Sequence, residues 1–181
     1  MNKTKIKLLN LSDLILTFTA MNKSKHKVIL QQIERLIKKD SLPVLEGLKS
    51  VCNLLQKNLE VYDWVGFYFS DFENQMLHLK AFTGSPSEHT SIPFGKGICG
   101  QVALSSENFL VPDVTAQDNY IACNLDVRSE LVVPLFLEGK NIGQIDVDSR
   151  TPNPFSKKDE KFLSNICNLI SSAYGNLLTQ L

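Results

Sequence analysis

Asp146 and Asp148 stand two residues apart in Gly143-Gln144-Ile145-Asp146-Val147-Asp148-Ser149, a run that reads as a β-strand. Successive strand side chains alternate faces, so Ile145 and Val147 point one way and both aspartates the other. Carboxylates are depleted in strands and costly to bury unpaired, so the pair needs a reason. Either it lies on a solvent-facing side of an antiparallel sheet, or it lines a pocket for a positively charged group. A second candidate is Cys99, in Ile92-Pro93-Phe94-Gly95-Lys96-Gly97-Ile98-Cys99-Gly100. The glycines offer a tight turn that delivers the thiol to the start of a short helix, where amides and Lys96 favour a thiolate. The alternative is a small buried residue at a turn. A third set is aromatic. In Tyr62-Asp63-Trp64-Val65-Gly66-Phe67-Tyr68-Phe69, Trp64 and Tyr68 share a strand face with Gly66 between them, which describes either a pocket wall or a sheet buried on both sides.

The elements that must position these groups follow from periodicity. Ile29, Leu30, Ile33, Leu36 and Ile37 recur at helical spacing between His26 and Lys39. A second helix, capped by Asp40 or Ser41 with Pro43 in its first turn, carries the stripe Leu45, Leu48, Cys52, Leu55 and Leu59, which makes Cys52 a core residue. The aromatic strand pairs back on Met76 to Phe82. The glycine segment matches G-x-G-x-x-G literally, but Pro93 spoils the strand a dinucleotide fold needs before it, and the helix from Gly100 to Ser106 is too short for a crossover. A brief strand from Phe109 to Pro112 leads into a long loop through Tyr120 and Cys123 to Asp126, and such loops are more often functional than idle. Ser129 to Leu137 is a strand, and Glu138 to Asn141 turns it into the aspartate strand as a hairpin. Ser156 caps a closing helix, with Asp159 placed for a capping box and the stripe continuing to Leu181. If that helix runs to the terminus it spans about 39 Å, more than one small domain covers, and a homodimer is expected. The order of elements is α+β: an antiparallel sheet with helices packed on one face.

The 181 residues suit a single domain over 23–181 behind an N-terminal extension over 1–22, expected to be disordered. Residues 1 to 40 carry 9 Lys/Arg against 3 Asp/Glu, leaving 10 against 16 for the rest. The basic head has one Arg and little aromatic interleaving, which argues against nucleic acid as a partner. No run approaches the roughly 18 apolar residues of a membrane span, and the first 20 residues lack a signal-peptide cleavage pattern, so a cytoplasmic location is expected. Four cysteines and three histidines show no C-x-x-C and no ligand cluster in sequence, which argues against zinc.

These segments, together with Val111-Pro112-Asp113-Val114, Tyr120-Ile121-Ala122-Cys123 and Ser129-Glu130-Leu131-Val132-Val133-Pro134-Leu135, resemble the GAF domain over roughly residues 60 to 175. Trp64, Tyr68, Cys123, Glu130, Asp146 and Asp148 further resemble the free methionine-(R)-sulfoxide reductases. That resemblance implies that Glu130, Asp146 and Asp148 hold a substrate ammonium and that Trp64 and Tyr68 enclose the methyl-sulfoxide end. It also implies Cys123 and Cys99 as the redox pair, Cys123 favoured as nucleophile, with thioredoxin as reductant and no bound cofactor. Those enzymes commonly carry a third cysteine ten residues before Cys99, where His89 and Thr90 stand here. The alternative is a GAF module that binds a small cationic or amino-acid-like ligand for sensing. No output domain accompanies it in this chain, which tilts the reading to the enzyme.

Overall fold

The computed structural model describes residues 25–38, 42–116 and 126–181. The extension expected over 1–22, the caps expected at Asp40 or Ser41, and Cys123 with most of its loop lie outside the described residues. A first helix, α1, covers residues 25–37 and buries Ile29, Ile33 and Ile37. α2 follows as Val44–Asn58, with Pro43 at the N-cap position rather than inside the first turn. The strands are β1 (Trp64–Asp71), β2 (Met76–Thr83), β3 (Ser91–Pro93), β4 (Phe109–Val111), β5 (Ser129–Leu137) and β6 (Lys140–Ser149), and the remaining helices are α3 (Gly97–Ser105) and α4 (Lys157–Tyr174). They form one antiparallel sheet in the order β3-β2-β1-β6-β5-β4.

Pro93 does not abolish the strand before the glycines. It sits on a three-residue edge strand, where a missing N–H costs no ladder bond. The β5–β6 hairpin closes through Glu138 and Gly139 at φ +51° and +81°, with Leu137 opposite Lys140. Two successive positive φ values suit a two-residue turn whose twist matches the strands it joins.

One face of the sheet is covered by the long helices. Val65, Phe67 and Phe69 of β1, Leu131, Val133 and Leu135 of β5, and Ile145 and Val147 of β6 pack there against Ile33, Leu48, Leu55, Leu163, Ile166 and Ile170. Cys52 and Cys167 belong to this core, and burial pushes both thiols up, Cys167 to about 12. The opposite face carries a second cluster in which Trp64, Tyr68 and Val132 meet Ile98, Cys99 and Val102 of α3. The central strands are therefore buried on both sides, and their apolar runs follow from that.

α4 starts as expected: the Ser156 side chain accepts from the backbone N–H of Lys158, and the Asp159 carboxylate accepts from the Ser156 N–H in a capping box. It ends early. Gly175 takes φ 49° and ψ −131°, a region open to glycine and little else, and the chain continues as a 3-10 helix over Gly175–Gln180. Eighteen helical residues span about 27 Å, so the excess length that argued for a dimer is absent. Among the described residues no helix is long and apolar enough to cross a membrane.

Candidate functional site

The register of three strands assembles the site. Trp64 lies opposite Asp148 on β6, and Asp148 lies opposite Glu130 on β5. One step along, Gly66 faces Asp146, which faces Val132. The aromatic-and-glycine face of β1 is thus continuous with the acidic face of β6 and with Glu130. This face is not open to solvent: Asp146 is 0 % exposed, Asp148 2 % and Glu130 3 %. α3 covers it and brings the thiol in. Cys99 Sγ donates to Asp146 Oδ2 at 3.2 Å and stands 3.9 Å from Glu130 Oε1. The glycines make that approach possible. The Gly95 N–H donates to the Gly100 carbonyl at 2.7 Å, and a Cβ on Gly100 would lie 2.5 Å from the Pro93 carbonyl oxygen.

Placing Cys99 here reverses one expectation. Lys96 occupies the N-cap position with an exposed side chain, while the thiol is 3 % exposed and faces two carboxyls. The thiol thus meets carboxyls from β5 and β6 rather than the ammonium of Lys96.

The acids themselves are forced toward neutrality. Burial raises Glu130 well above the carboxylate range, and Asp146 and Asp148 add to it. Burial also raises Asp148, with further contributions from Asp146 and Asp63. Asp146 is pushed up to about 7 by burial, against the opposing hydrogen bonds from the Cys99 thiol and the Val147 N–H. Asp146 Oδ1 and Asp148 Oδ1 are buried with no protein hydrogen-bond partner. Such oxygens cost free energy unless a ligand, cation or water satisfies them.

The aromatic wall is fixed from outside. The Trp64 indole N–H donates to the Ser85 carbonyl at 3.1 Å and the ring stacks on Phe82 at 5.9 Å. Tyr68, fully buried, donates its hydroxyl to the His89 carbonyl at 3.0 Å, so both site aromatics hold the segment between β2 and β3. Their rings lie 6.3 Å apart. The indole lies over bare Gly66, where a Cβ would come within 2.1 Å of it. Gly66→Ala should therefore displace Trp64, the chain's single tryptophan. The expected outcome is a shifted emission maximum and a lowered melting temperature, since overpacking a buried face costs about 1–3 kcal/mol. Unaltered emission in that variant would contradict the packing.

Sequence reasoning named seven site residues. Six of them, Trp64, Tyr68, Cys99, Glu130, Asp146 and Asp148, come together on one sheet face, and Cys123 lies outside the described residues. It missed the mouth. A cleft lined by Asp63, Trp64, Ser85, Ser87, Val127, Asp148 and Arg150 reaches the Asp148 end of the site from the surface. Arg150 continues the alternation of Asp146 and Asp148 by one more step, a signal that could have found it.

Comparison with known proteins bears on this geometry. A model of the GAF domain matches residues 43–174. The chain belongs to the GAF domain family. Protein YtsP of Bacillus subtilis is 32% identical over 148 residues, covering 82% of this chain and 90% of that protein. The free methionine-R-sulfoxide reductase of Saccharomyces cerevisiae is 36% identical over 135 residues, 68% of this chain and 74% of the enzyme. Among solved GAF-like structures, free methionine-R-sulfoxide reductase from Neisseria meningitidis in complex with its substrate superposes with a TM-score of 0.79. It is 32% identical, over 86% of this chain and 92% of that one.

Proposed function

We propose that this GAF protein is an oxidoreductase that reduces free methionine-(R)-sulfoxide to methionine through a cysteine thiol/disulfide cycle. The observation that carries the proposal is the cluster of Glu130, Asp146 and Asp148, three buried carboxyls with two unpartnered oxygens beside a thiol. A buried set of like-charged groups is relieved by a cation, and the ammonium of a free amino acid is one of the right size. Kinship with named free methionine-R-sulfoxide reductases supports the same reading.

In this mechanism the substrate ammonium lies on the carboxyls, and the indole of Trp64 with the ring of Tyr68 encloses the apolar end. Cys123 serves as nucleophile. Its thiolate attacks the sulfoxide sulfur, and a pocket carboxyl that keeps its proton beside the bound ammonium gives that proton to the oxygen. The oxygen passes to Cys123 as sulfenic acid while the substrate sulfur gains two electrons and leaves as methionine. Cys99, held beside Asp146 and Glu130, then condenses with the sulfenic acid, expelling water and forming a disulfide. A thioredoxin dithiol returns both cysteines to thiols.

A single-turnover experiment tests the cycle. Reduced protein mixed with an equivalent of free methionine-(R)-sulfoxide should yield one methionine per chain and one Cys99–Cys123 disulfide by mass spectrometry. Cys99→Ser should still form methionine but stop at a sulfenic acid on Cys123, trapped by dimedone. Methionine formation by a chain lacking both cysteines would overturn the mechanism.

A further inference from the structure

Sequence spacing argued against zinc because no two cysteines or histidines stand at ligand intervals, yet the fold brings a donor set together from three separate elements. Cys99 of α3, Glu130 of β5 and Asp146 of β6 each offer one ligand atom, and these atoms all lie within 4.8 Å of one another. Zinc binds thiolate sulfur at about 2.3 Å and carboxylate oxygen at about 2.0–2.2 Å, so a tetrahedral site has ligand–ligand edges of about 3.5 Å. The sulfur–oxygen separations of 3.2 and 3.9 Å bracket that edge. A second observation points to a ligand at the same place: Asp146 Oδ1 and Asp148 Oδ1 are buried and have no protein partner. Gln144, fully buried on the same face of β6, leaves both of its amide atoms unpartnered as well. The cleft lined by Asp148, the strand partner of Glu130, lies beside this donor set.

We propose that Cys99, Glu130 and Asp146 bind Zn²⁺ reversibly, and that the occupied site is the inhibited state of the protein. The donor set selects the metal class. A thiolate among carboxylates prefers zinc to magnesium or calcium, which take oxygen ligands alone. Binding replaces the thiol proton of Cys99 and the protons that burial holds on Glu130 and Asp146, and releases them to solvent. No electron moves. Zinc then occupies the place of the substrate ammonium and withholds the Cys99 sulfur from the sulfenic acid. The inhibition rests on the reductase reading above, whereas the metal site itself does not.

Cobalt is the probe for the site. Titrating the reduced, full-length chain with Co²⁺ should give one equivalent of a thiolate-to-cobalt charge-transfer band with the visible absorption of four-coordinate cobalt, and Zn²⁺ should displace it. Cys99→Ser should abolish the band. In the unaltered chain, which needs no variant to fold, Zn²⁺ should slow alkylation of Cys99 about tenfold or more, as mapped by mass spectrometry, and a chelator should restore it. Zinc should also suppress methionine formation in competition with free methionine-(R)-sulfoxide. Absence of the band, its survival in Cys99→Ser, or unprotected Cys99 would overturn the metal site. A metal-binding chain that forms no methionine would keep the site and reject the reductase.

Discussion

Asp146→Asn should cost the protein its activity and make it more stable. The loss follows from the role assigned to Asp146 as an ammonium partner; truncating one side of a buried charge pair costs about 2–5 kcal/mol, so kcat/KM should fall by about 30-fold or more. The gain in stability follows from linkage. Asp146 holds its proton up to about 7 in the folded chain, against an ordinary value of 3.8. The folded state therefore binds the proton more tightly than the unfolded state does. Its stabilising contribution is complete below pH 4 and is lost as pH rises through 7. The penalty above that window is on the order of 4 kcal/mol. Asparagine has no proton to lose and can still accept from the Cys99 thiol. At pH 8 the variant should melt about 5 °C or more above the parent, and at pH 4 the two should coincide. Thermal denaturation across that range checks it; a variant that is less stable at pH 8 would mean that Asp146 is held ionised by a partner.

Ligand binding should release protons. In the unliganded protein at neutral pH, Glu130 and Asp148 are held protonated by burial and by the neighbouring Asp146, and Asp146 is near half-protonation. An ammonium placed among them favours the ionised forms, so protons leave as it enters. One proton is the order of magnitude expected for binding at pH 7, and affinity should then rise about tenfold per pH unit between about pH 6 and 7.5. Calorimetry of free methionine sulfoxide in two buffers of different ionisation enthalpy reads the number directly. The Trp64 emission gives the same affinity independently. Proton uptake, or affinity that falls as pH rises, would remove the ammonium from the acids.

The sequence made the strands legible because their alternation is a property of the backbone. It put Asp146 with Asp148, and Trp64 with Tyr68, on common faces. It could not decide whether the acidic face was wet, since that depends on α3 and on the segment after β2 folding over it. Nor could it foresee that Cys99 would meet carboxyls rather than Lys96, because the thiol's neighbours come from β5 and β6, more than thirty residues away in sequence. The closing helix illustrates the opposite limit. Its apolar stripe continues to Leu181, but the backbone at Gly175 ends the α-helix first. The donor set proposed for zinc was invisible for a similar reason: it exists only once β5 pairs with β6 and α3 packs across them.

The measurement closest to the central claim compares substrates that differ only in the groups the pocket is held to recognise. With thioredoxin, its reductase and NADPH, oxidation of NADPH should follow addition of free methionine-(R)-sulfoxide. The S epimer should fail if the proposed aromatic wall of Trp64 and Tyr68 fixes the orientation of the sulfur, and N-acetylmethionine-(R)-sulfoxide should fail because it brings no cation to Glu130, Asp146 and Asp148. Equal turnover of the N-acetylated and free forms would contradict the account, since three buried carboxyls would then have no part in choosing the substrate.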